Sequence, residues 1–246
     1  MILRKWENLP SEMQSDEVRR YYDILKKKRA ALVLKRIFDI VVSAIMLILL
    51  SPVFLILAIV IKLDSRGPVF YRQSRATQYN KTFKIFKFRS MRQDADRGSH
   101  VTVDGDDRVT RVGRFIRKCR LDEISQLIDV FRGTMTFVGT RPESIKYVEA
   151  YTPEMMATLL LPAGVTSLAS IYYKDEARLL SSADDADRVY VEDILPQKMK
   201  YNLKAIEDFS FFGDIKIMFM TVFAVLGKEY KDESVIEKEK EEVASK

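Results

Sequence analysis

IVVSAIMLILLSPVFLILAIVI, residues Ile40 to Ile61, carries no charged side chain, is interrupted by Ser51-Pro52 and has cations on both flanks. As one unbroken helix rising ~1.5 Å per residue it would reach roughly 33 Å, enough for a hydrocarbon core of about 30 Å. Pro52 works against that helix. It has no N–H, its ring clashes with the carbonyl four residues back, and it pushes Ser51 away from helical dihedrals. Each half alone is about one leaflet deep. Arg19, Arg20, Lys26, Lys27, Lys28, Arg29, Lys35 and Arg36 precede the run, and Lys62, Arg66, Arg72 and Arg75 follow it. Short basic flanks stay cytoplasmic, so neither side reads as translocated. The expectation is a re-entrant helix, break, helix in the cytoplasmic leaflet, with Ser51 Oγ satisfying a backbone group freed at the break. A kinked spanning helix and the buried helix of a soluble core are the competing readings. A signal peptide is not expected, given the position of the run and the lack of a small-residue cleavage site.

The 246 residues are 47% hydrophobic, ample for one domain with a membrane anchor. The net charge of +6 and pI near 9.2 favour an anionic partner: nucleic acid, acidic lipid headgroups or a phosphorylated substrate. Membrane insertion favours the last two, and no nucleic-acid-binding module is recognisable. Cys119 stands alone, so no intrachain disulfide can form. His100 is the single histidine, which disfavours histidine relays and excludes a histidine-rich zinc site. Chemistry must then run on carboxylates, lysines, arginines and a metal that prefers oxygen.

Four segments follow: an amphipathic N-terminal helix over 1–34, the anchor over 35–63, a cytoplasmic catalytic domain over 64–227, and a charged tail over 228–246. In the first, Ser11 and Gln14 have capping-box spacing, and Tyr21, Tyr22 and Leu25 would suit a helix lying on lipid or an ordinary solvated one. Past the Asp64–Pro68 turn, Val69–Gln73 and Thr82–Arg89 read as strands. Phe83, Ile85, Lys87 and Arg89 alternate on one face, two apolar and then two cationic. Gln93–Asp107 is an acidic loop without the spacing of a calcium-binding loop. Arg111, Arg114, Arg117 and Lys118 fall at helical spacing. A second helix is expected from Leu121-Asp122-Glu123 to a C′ glycine at Gly133. Thr134–Val138 reads as a strand, Pro153–Leu161 as a helix, Pro162–Ser167 as a loop, and Phe209–Leu226 as a strongly apolar helix that packs on the anchor or dips into lipid. The fold class is therefore α+β and mainly helical: a monotopic membrane protein with surface amphipathic helices and a small β-hairpin.

Asp122 and Glu123 stand at an expected helix start, directly after a run of cations. The macrodipole and unpaired N–H groups would keep a carboxylate there ionised and would also draw in a phosphate. An ionised Asp can attack phosphorus or bind Mg²⁺, although an Asp in a first helical turn is commonly just a cap.

Read together, these blocks resemble the bacterial sugar transferases, the monotopic polyprenol-phosphate phosphoglycosyltransferases, over roughly Leu34 to Leu226. The resemblance rests on Lys35-Arg36-Ile-Phe38-Asp39, Ser51-Pro52, Gly67-Pro68-Val-Phe-Tyr-Arg72-Gln73 and Phe83-Lys-Ile-Phe-Lys87-Phe88-Arg89-Ser-Met91. It continues through Arg111-Val-Gly113-Arg114-Phe-Ile-Arg117-Lys118, Leu121-Asp122-Glu123-Ile-Ser-Gln126-Leu127, Val138-Gly139-Thr140-Arg141-Pro142 and Asp214-Ile-Lys216-Ile-Met218. Thr140 and Ser167 depart from the family's usual Pro and Gly. The extra N-terminal spanning helices of longer relatives are not seen, so a minimal catalytic form is expected.

The resemblance implies transfer of a sugar-1-phosphate from a UDP-sugar to polyprenol phosphate at the cytoplasmic face of the bacterial inner membrane. It implies Asp122 as nucleophile, Glu123 for metal contact or proton handling, Mg²⁺ between the pair, and Lys87, Arg89, Arg117 and Arg141 as phosphate binders, with Pro142 fixing Arg141 in a turn. Two other readings compete: a non-enzymatic membrane scaffold, and a membrane-bound phosphohydrolase using the same carboxylate.

Overall fold

The computed structural model describes residues 3–92, 108–173 and 185–230. The acidic loop from Gln93 to Asp107, which includes His100, lies outside the described residues, as do residues 174–184 of the 172–193 segment expected with that loop to shape the sugar pocket, and the tail beyond 230.

Helix α1 runs Asp16–Lys27, not from Ser11. Ser11–Met13 closes as a 3-10 turn behind Pro10, and Ser15 caps the helix by accepting from the Val18 N–H. Asp16 and Glu17 lie in its first turn and its lysines in the last, matching the macrodipole. Val18, Tyr21, Tyr22 and Leu25 are buried in protein rather than laid on lipid. The tyrosine hydroxyls explain why, because each finds a protein acceptor. Tyr21 donates to Glu154 at 2.7 Å, and Tyr22 donates to the Arg4 carbonyl at 2.8 Å.

Helices α2 (Arg29–Leu49) and α3 (Ser51–Asp64) meet at a bend of 60°. Pro52 sits in the first turn of α3, where a missing N–H costs nothing. Ser51 Oγ donates to the Ile48 carbonyl at 2.8 Å, so the break is satisfied from within the chain. Ile37, Ile45, Ile48, Leu49, Leu55, Ile56, Ile59 and Leu63 are exposed along the pair. Among the described residues no single helix is long and apolar enough to cross a membrane, whereas the bent pair together has that length and composition.

Strands β1 (Phe70–Thr77) and β2 (Lys81–Phe88) form an antiparallel hairpin, both longer at the tip end than the sequence pattern indicates. Tyr79 and Asn80 take left-handed dihedrals in the turn. Helix α4 spans Arg111–Lys118 and α5 Leu127–Arg132, ended by Gly133 at φ 87°. Strand β3 (Met135–Val138) pairs in parallel with β4 (Ala163–Thr166), where a loop was expected. A short helix α6 (Ile145–Val148) and a 3-10 stretch, Met155–Leu160, connect them. The second sheet forms because Gly139 and Gly164 let two backbones touch. A Cβ on Gly164 would come within 2.2 Å of the Gly139 backbone. Helices α7 (Leu168–Tyr172), α8 (Ala186–Val189), α9 (Leu195–Glu207) and the apolar α10 (Phe211–Val225) complete the chain. Helix α10 packs against α2 and the β3–β4 sheet.

One stretch of α2 fastens the bent helix pair to the rest. Lys35 Nζ donates to the Val138 carbonyl at 2.8 Å and pairs with Asp214. Arg36 donates to the Val130 and Phe131 carbonyls at 2.7 and 2.8 Å. Asp39 accepts from the Thr136 hydroxyl and the Phe137 N–H. The Lys35–Asp214 side chains are only 4% and 14% exposed, so losing one strands a buried charge. Lys35→Met is therefore expected to cost about 3–5 kcal/mol in detergent-solubilised unfolding. A Lys35→Met/Asp214→Met double substitution should recover much of it.

Candidate active site

The site assembles where α4 runs out. Its last turn leads through Arg120, held at φ 52°, into Leu121-Asp122-Glu123. A non-glycine residue there carries strain that the surroundings must hold. The Leu121 N–H donates to Ile116 O at 2.8 Å, and the Asp122 carbonyl accepts from Phe88 N–H at 3.0 Å. Ser125 Oγ donates to Phe86 O at 3.0 Å. The turn is thus clipped to the end of β2. Asp122 and Glu123 precede a 3-10 turn, Ile124–Gln126, and do not occupy the first turn of a long helix as the sequence implied. Helix α5 has only 6 residues, so cations rather than a macrodipole set the local charge balance.

Glu123 Oε1 lies 2.7 Å from Arg141 Nη2 and 3.5 Å from Lys87 Nζ. Burial alone would raise its pKa, but Arg141 and then Lys87 overcome that and hold it at about 2. Asp122 is pushed the other way. Burial and the adjacent Glu123 charge raise its pKa, with Lys87 and Arg117 opposing. Burial likewise lowers the Lys87 pKa, an effect Glu123 counters. Two neighbouring carboxylates therefore have separated proton affinities, which is how acid, base and nucleophile roles are divided between like groups. Among the described residues Asp122 makes no side-chain ion pair, leaving its oxygens available.

Arg141 is placed by backbone contacts on both sides. Gly139 N–H donates to Thr166 O at 3.0 Å, Gly164 N–H donates to Thr140 O at 2.8 Å, and Ala76 N–H donates to Glu143 O at 3.0 Å. Beside it opens a cleft of about 200 Å³ lined in part by Arg75, Lys87, Arg141, Pro142, Tyr147 and Lys198. Lys87, Arg117, Arg141 and Pro142 thus gather around the carboxylate pair or its cleft.

Arg89, the other expected phosphate binder, is not among the residues that line this cleft. It follows Phe88, the last residue of β2, and its N–H donates to Val69 O at 2.9 Å, continuing the β1–β2 pairing. Its guanidinium donates to the carbonyls of Ile61, Ser65 and Arg66 at 3.2, 2.6 and 3.0 Å. It closes the C-terminus of α3, joining the bent helix pair to the strand that carries Lys87.

The sequence reading assigned no site role to Arg75, Glu143, Tyr147 or Lys198, and covered Tyr190 only within the 172–193 segment expected to help shape the sugar pocket. Extending the β1 alternation past Gln73 would have found Arg75: the register pairs Tyr71 with Lys87, Gln73 with Ile85 and Arg75 with Phe83, placing all six on one face. Nothing local in the sequence marks Tyr190 or Lys198, which reach the cleft from the α8–α9 region.

No group of three His, Cys, Asp or Glu side chains that could hold a metal exists among the described residues. Two adjacent carboxylates, one without an ion pair, nevertheless suit Mg²⁺, which uses one or two protein oxygens and completes its octahedron with water and phosphate.

Comparison with known proteins places the site in a family. The family model described as "Bacterial sugar transferase" matches residues 30–228. The UDP-N-acetylgalactosamine-undecaprenyl-phosphate N-acetylgalactosaminephosphotransferase of Aeromonas hydrophila is 36% identical over 69% of this chain and 38% of its own length. The UDP-glucose:undecaprenyl-phosphate glucose-1-phosphate transferase of Escherichia coli (strain K12) is 35% identical over 68% of this chain and 34% of its own length. An uncharacterized sugar transferase of Bacillus subtilis (strain 168) is 30% identical over 80% of this chain and 90% of its own. The chain spans about a third of the length of the first two and most of the third.

Proposed function

The chain belongs to the bacterial sugar transferase family, and from that membership we propose that it transfers a sugar-1-phosphate from a UDP-sugar to undecaprenyl phosphate or a related polyprenol phosphate. UMP and polyprenyl-diphosphate-sugar are the products. The observation that carries the reading is the pair Asp122–Glu123, with Glu123 clamped by Arg141 and Lys87 and Asp122 left without an ion pair.

A carboxylate oxygen of Asp122 attacks the phosphorus that bears the sugar. The bond from that phosphorus to the bridging oxygen of UMP breaks, and UMP leaves with the electron pair. The phosphosugar remains as an ester on Asp122. The phosphate oxygen of the polyprenol phosphate then attacks the same phosphorus, the Asp122–phosphorus bond breaks and the carboxylate is restored. Such covalent double displacement gives ping-pong kinetics. Lys87, Arg117 and Arg141 stabilise charge on the phosphoryl oxygens. Mg²⁺, held by Asp122 with Glu123 beside it, would neutralise charge on the diphosphate.

The anchor gives this chemistry its place. A re-entrant α2–α3 pair in the cytoplasmic leaflet of the inner membrane holds the site at headgroup level, where one substrate is soluble and the other stays in the bilayer. The reaction would be the first membrane step in building a glycan: exopolysaccharide, capsule, O-antigen or glycoprotein. UMP release from purified protein, tested against a panel of UDP-sugars with and without Mg²⁺ and polyprenol phosphate, tests the reading. Release of free sugar phosphate without polyprenol would instead mark a phosphohydrolase, and no UMP under any condition would favour a scaffold.

Topology is separately testable. An alanine at position 52 restores an N–H that can donate to Ile48 O, the acceptor that Ser51 Oγ now occupies. Without the proline, a straight helix through position 52 becomes less costly by about 3 kcal/mol. A Ser51→Ala/Pro52→Ala chain is expected to expose an N-terminal tag to protease outside intact cells in a measurable fraction of molecules. Full protection in that variant would show that these two residues do not set the bend.

A further inference from the structure

The cleft beside Glu123 holds more positive charge than its carboxylates account for. Arg75, Lys87, Arg141 and Lys198 line it together with one acid, Glu143. Lys87 and Arg141 converge on Glu123 at 3.5 and 2.7 Å. Lys198 lies 3.4 Å from Glu143, which also accepts from the Tyr190 hydroxyl at 2.6 Å. Arg75 is the exception. Its Nη2 donates to Gln73 Oε1 at 2.9 Å, and among the described residues no carboxylate forms an ion pair with it. It is half-buried, and burial pushes its pKa down; Glu143 counters that, and the like charge of Arg141 adds to it. A partly desolvated guanidinium with unused donors, next to a second guanidinium, gains when an oxyanion arrives.

Two features say which anion. A pyranose is neutral and needs no cations beyond those already around its phosphate, whereas a departing nucleoside monophosphate acquires a second negative charge as its bond to phosphorus breaks. The cleft is also lined by two tyrosines, Tyr147 and Tyr190, whose ring centroids lie 4.4 Å apart with planes tilted by 42°; Tyr190 is buried, and the half-buried Tyr147 ring offers a nucleobase an aromatic contact. Arg75 and Lys87 lie on one face of the hairpin with Ile85 between them, and all three line the cleft.

We infer that this cleft seats the leaving nucleoside monophosphate and that Arg75 contacts its phosphate. The assignment rests on the reaction proposed above. It makes Arg75 a substrate-binding residue of the first half-reaction and gives it no part in binding the lipid acceptor.

The test is UMP binding to the full chain in lipid nanodiscs by isothermal titration calorimetry, which needs no turnover. Arg75→Gln should weaken UMP binding about tenfold or more, the loss expected when charge-assisted hydrogen bonds are removed. Arg75→Lys should recover part of it, since charge returns without the guanidinium fork. UMP as a product inhibitor against UDP-sugar should weaken in step, while KM for polyprenol phosphate stays unchanged. Should Arg75→Gln fail to fold, Arg75→Lys decides by the same readout. Wild-type UMP affinity in the variants overturns the inference. So does altered sugar preference at constant UMP affinity, which would assign the cleft to the sugar. A wild-type chain that neither binds UMP nor turns over UDP-sugars refutes the proposed reaction itself.

Discussion

Asp122→Asn is expected to lower turnover by about 10⁴-fold or more, the scale on which removal of a covalent nucleophile acts. The amide matches the carboxylate in size. It also leaves untouched the Asp122 main-chain carbonyl, which accepts from Phe88 N–H at 3.0 Å and Ser125 Oγ at 3.2 Å, so the turn stays in place. What disappears is the oxygen that bonds phosphorus. Radiolabel from the donor's sugar should no longer become acid-stable on the protein, and UMP should no longer appear in a single-turnover burst. The ionised carboxylate is the reactive form, and burial and Glu123 raise its pKa above the ordinary 3.8. The acid limb of kcat/KM should therefore lie above that of an ordinary aspartate. Lys87 pulls that pKa down, so Lys87→Met should move the limb to still higher pH.

The second large effect is expected from Arg141→Ala. This removes a phosphoryl-binding guanidinium, a loss of about 10²–10³-fold in kcat/KM by analogy with other preorganised donors. It also strips Glu123 of its nearer cation at 2.7 Å, leaving Lys87 at 3.5 Å. Glu123 has its pKa lowered from 4.5 to about 2 in the fold. A depressed carboxylate contributes stability that is fully present above its unfolded pKa and is lost as pH falls through the folded one. The window here runs from about 4.5 down to about 2. Allowing for screening at the partly exposed Arg141, the contribution is roughly 2 kcal/mol. Arg141→Ala should lose most of it at pH 7, lowering the thermal midpoint and flattening the acid dependence of stability. Arg141→Lys should restore charge but little activity, because a single ammonium cannot reproduce the fork. Unchanged stability and acid profile in Arg141→Ala would show that Lys87 alone holds Glu123.

Much of the fold could be read from local chemistry. The Ser51-Pro52 break, the hairpin, the Arg111–Lys118 helix and the Gly133 cap are each encoded within a few residues, by a missing N–H, an alternation, a periodicity or a left-handed glycine. The sequence pattern failed where a distant partner decides. Ser11 has capping-box spacing, yet Gln14 Nε2 donates back to Leu9 O at 2.8 Å and Ser15 takes the cap. Tyr21 and Tyr22 look fit for a lipid surface until Glu154 and the Arg4 carbonyl accept their hydroxyls. Pro162–Ser167 has loop composition, and Ala163–Thr166 becomes a strand because Gly139 and Gly164 permit contact with β3. At the site, Asp122, Glu123, Lys87 and Arg141 were nameable because their short motifs carry them. Strand alternation grouped Arg89 with Lys87, whereas its contacts with the carbonyls at the end of α3 come from a distant segment that no local pattern records. Tyr190 and Lys198 reach the cleft through tertiary packing that no local pattern records.

The central claim is a phosphorus bonded to the side chain at position 122. Wild-type protein mixed with UDP-sugar in the absence of polyprenol phosphate, quenched in acid and digested, should yield the peptide containing Asp122 heavier by one sugar phosphate, with fragmentation placing the mass on that residue. The added mass should vanish when polyprenol phosphate is supplied before the quench. An unmodified Asp122 peptide, in samples where UMP has been released stoichiometrically with enzyme, would contradict the account.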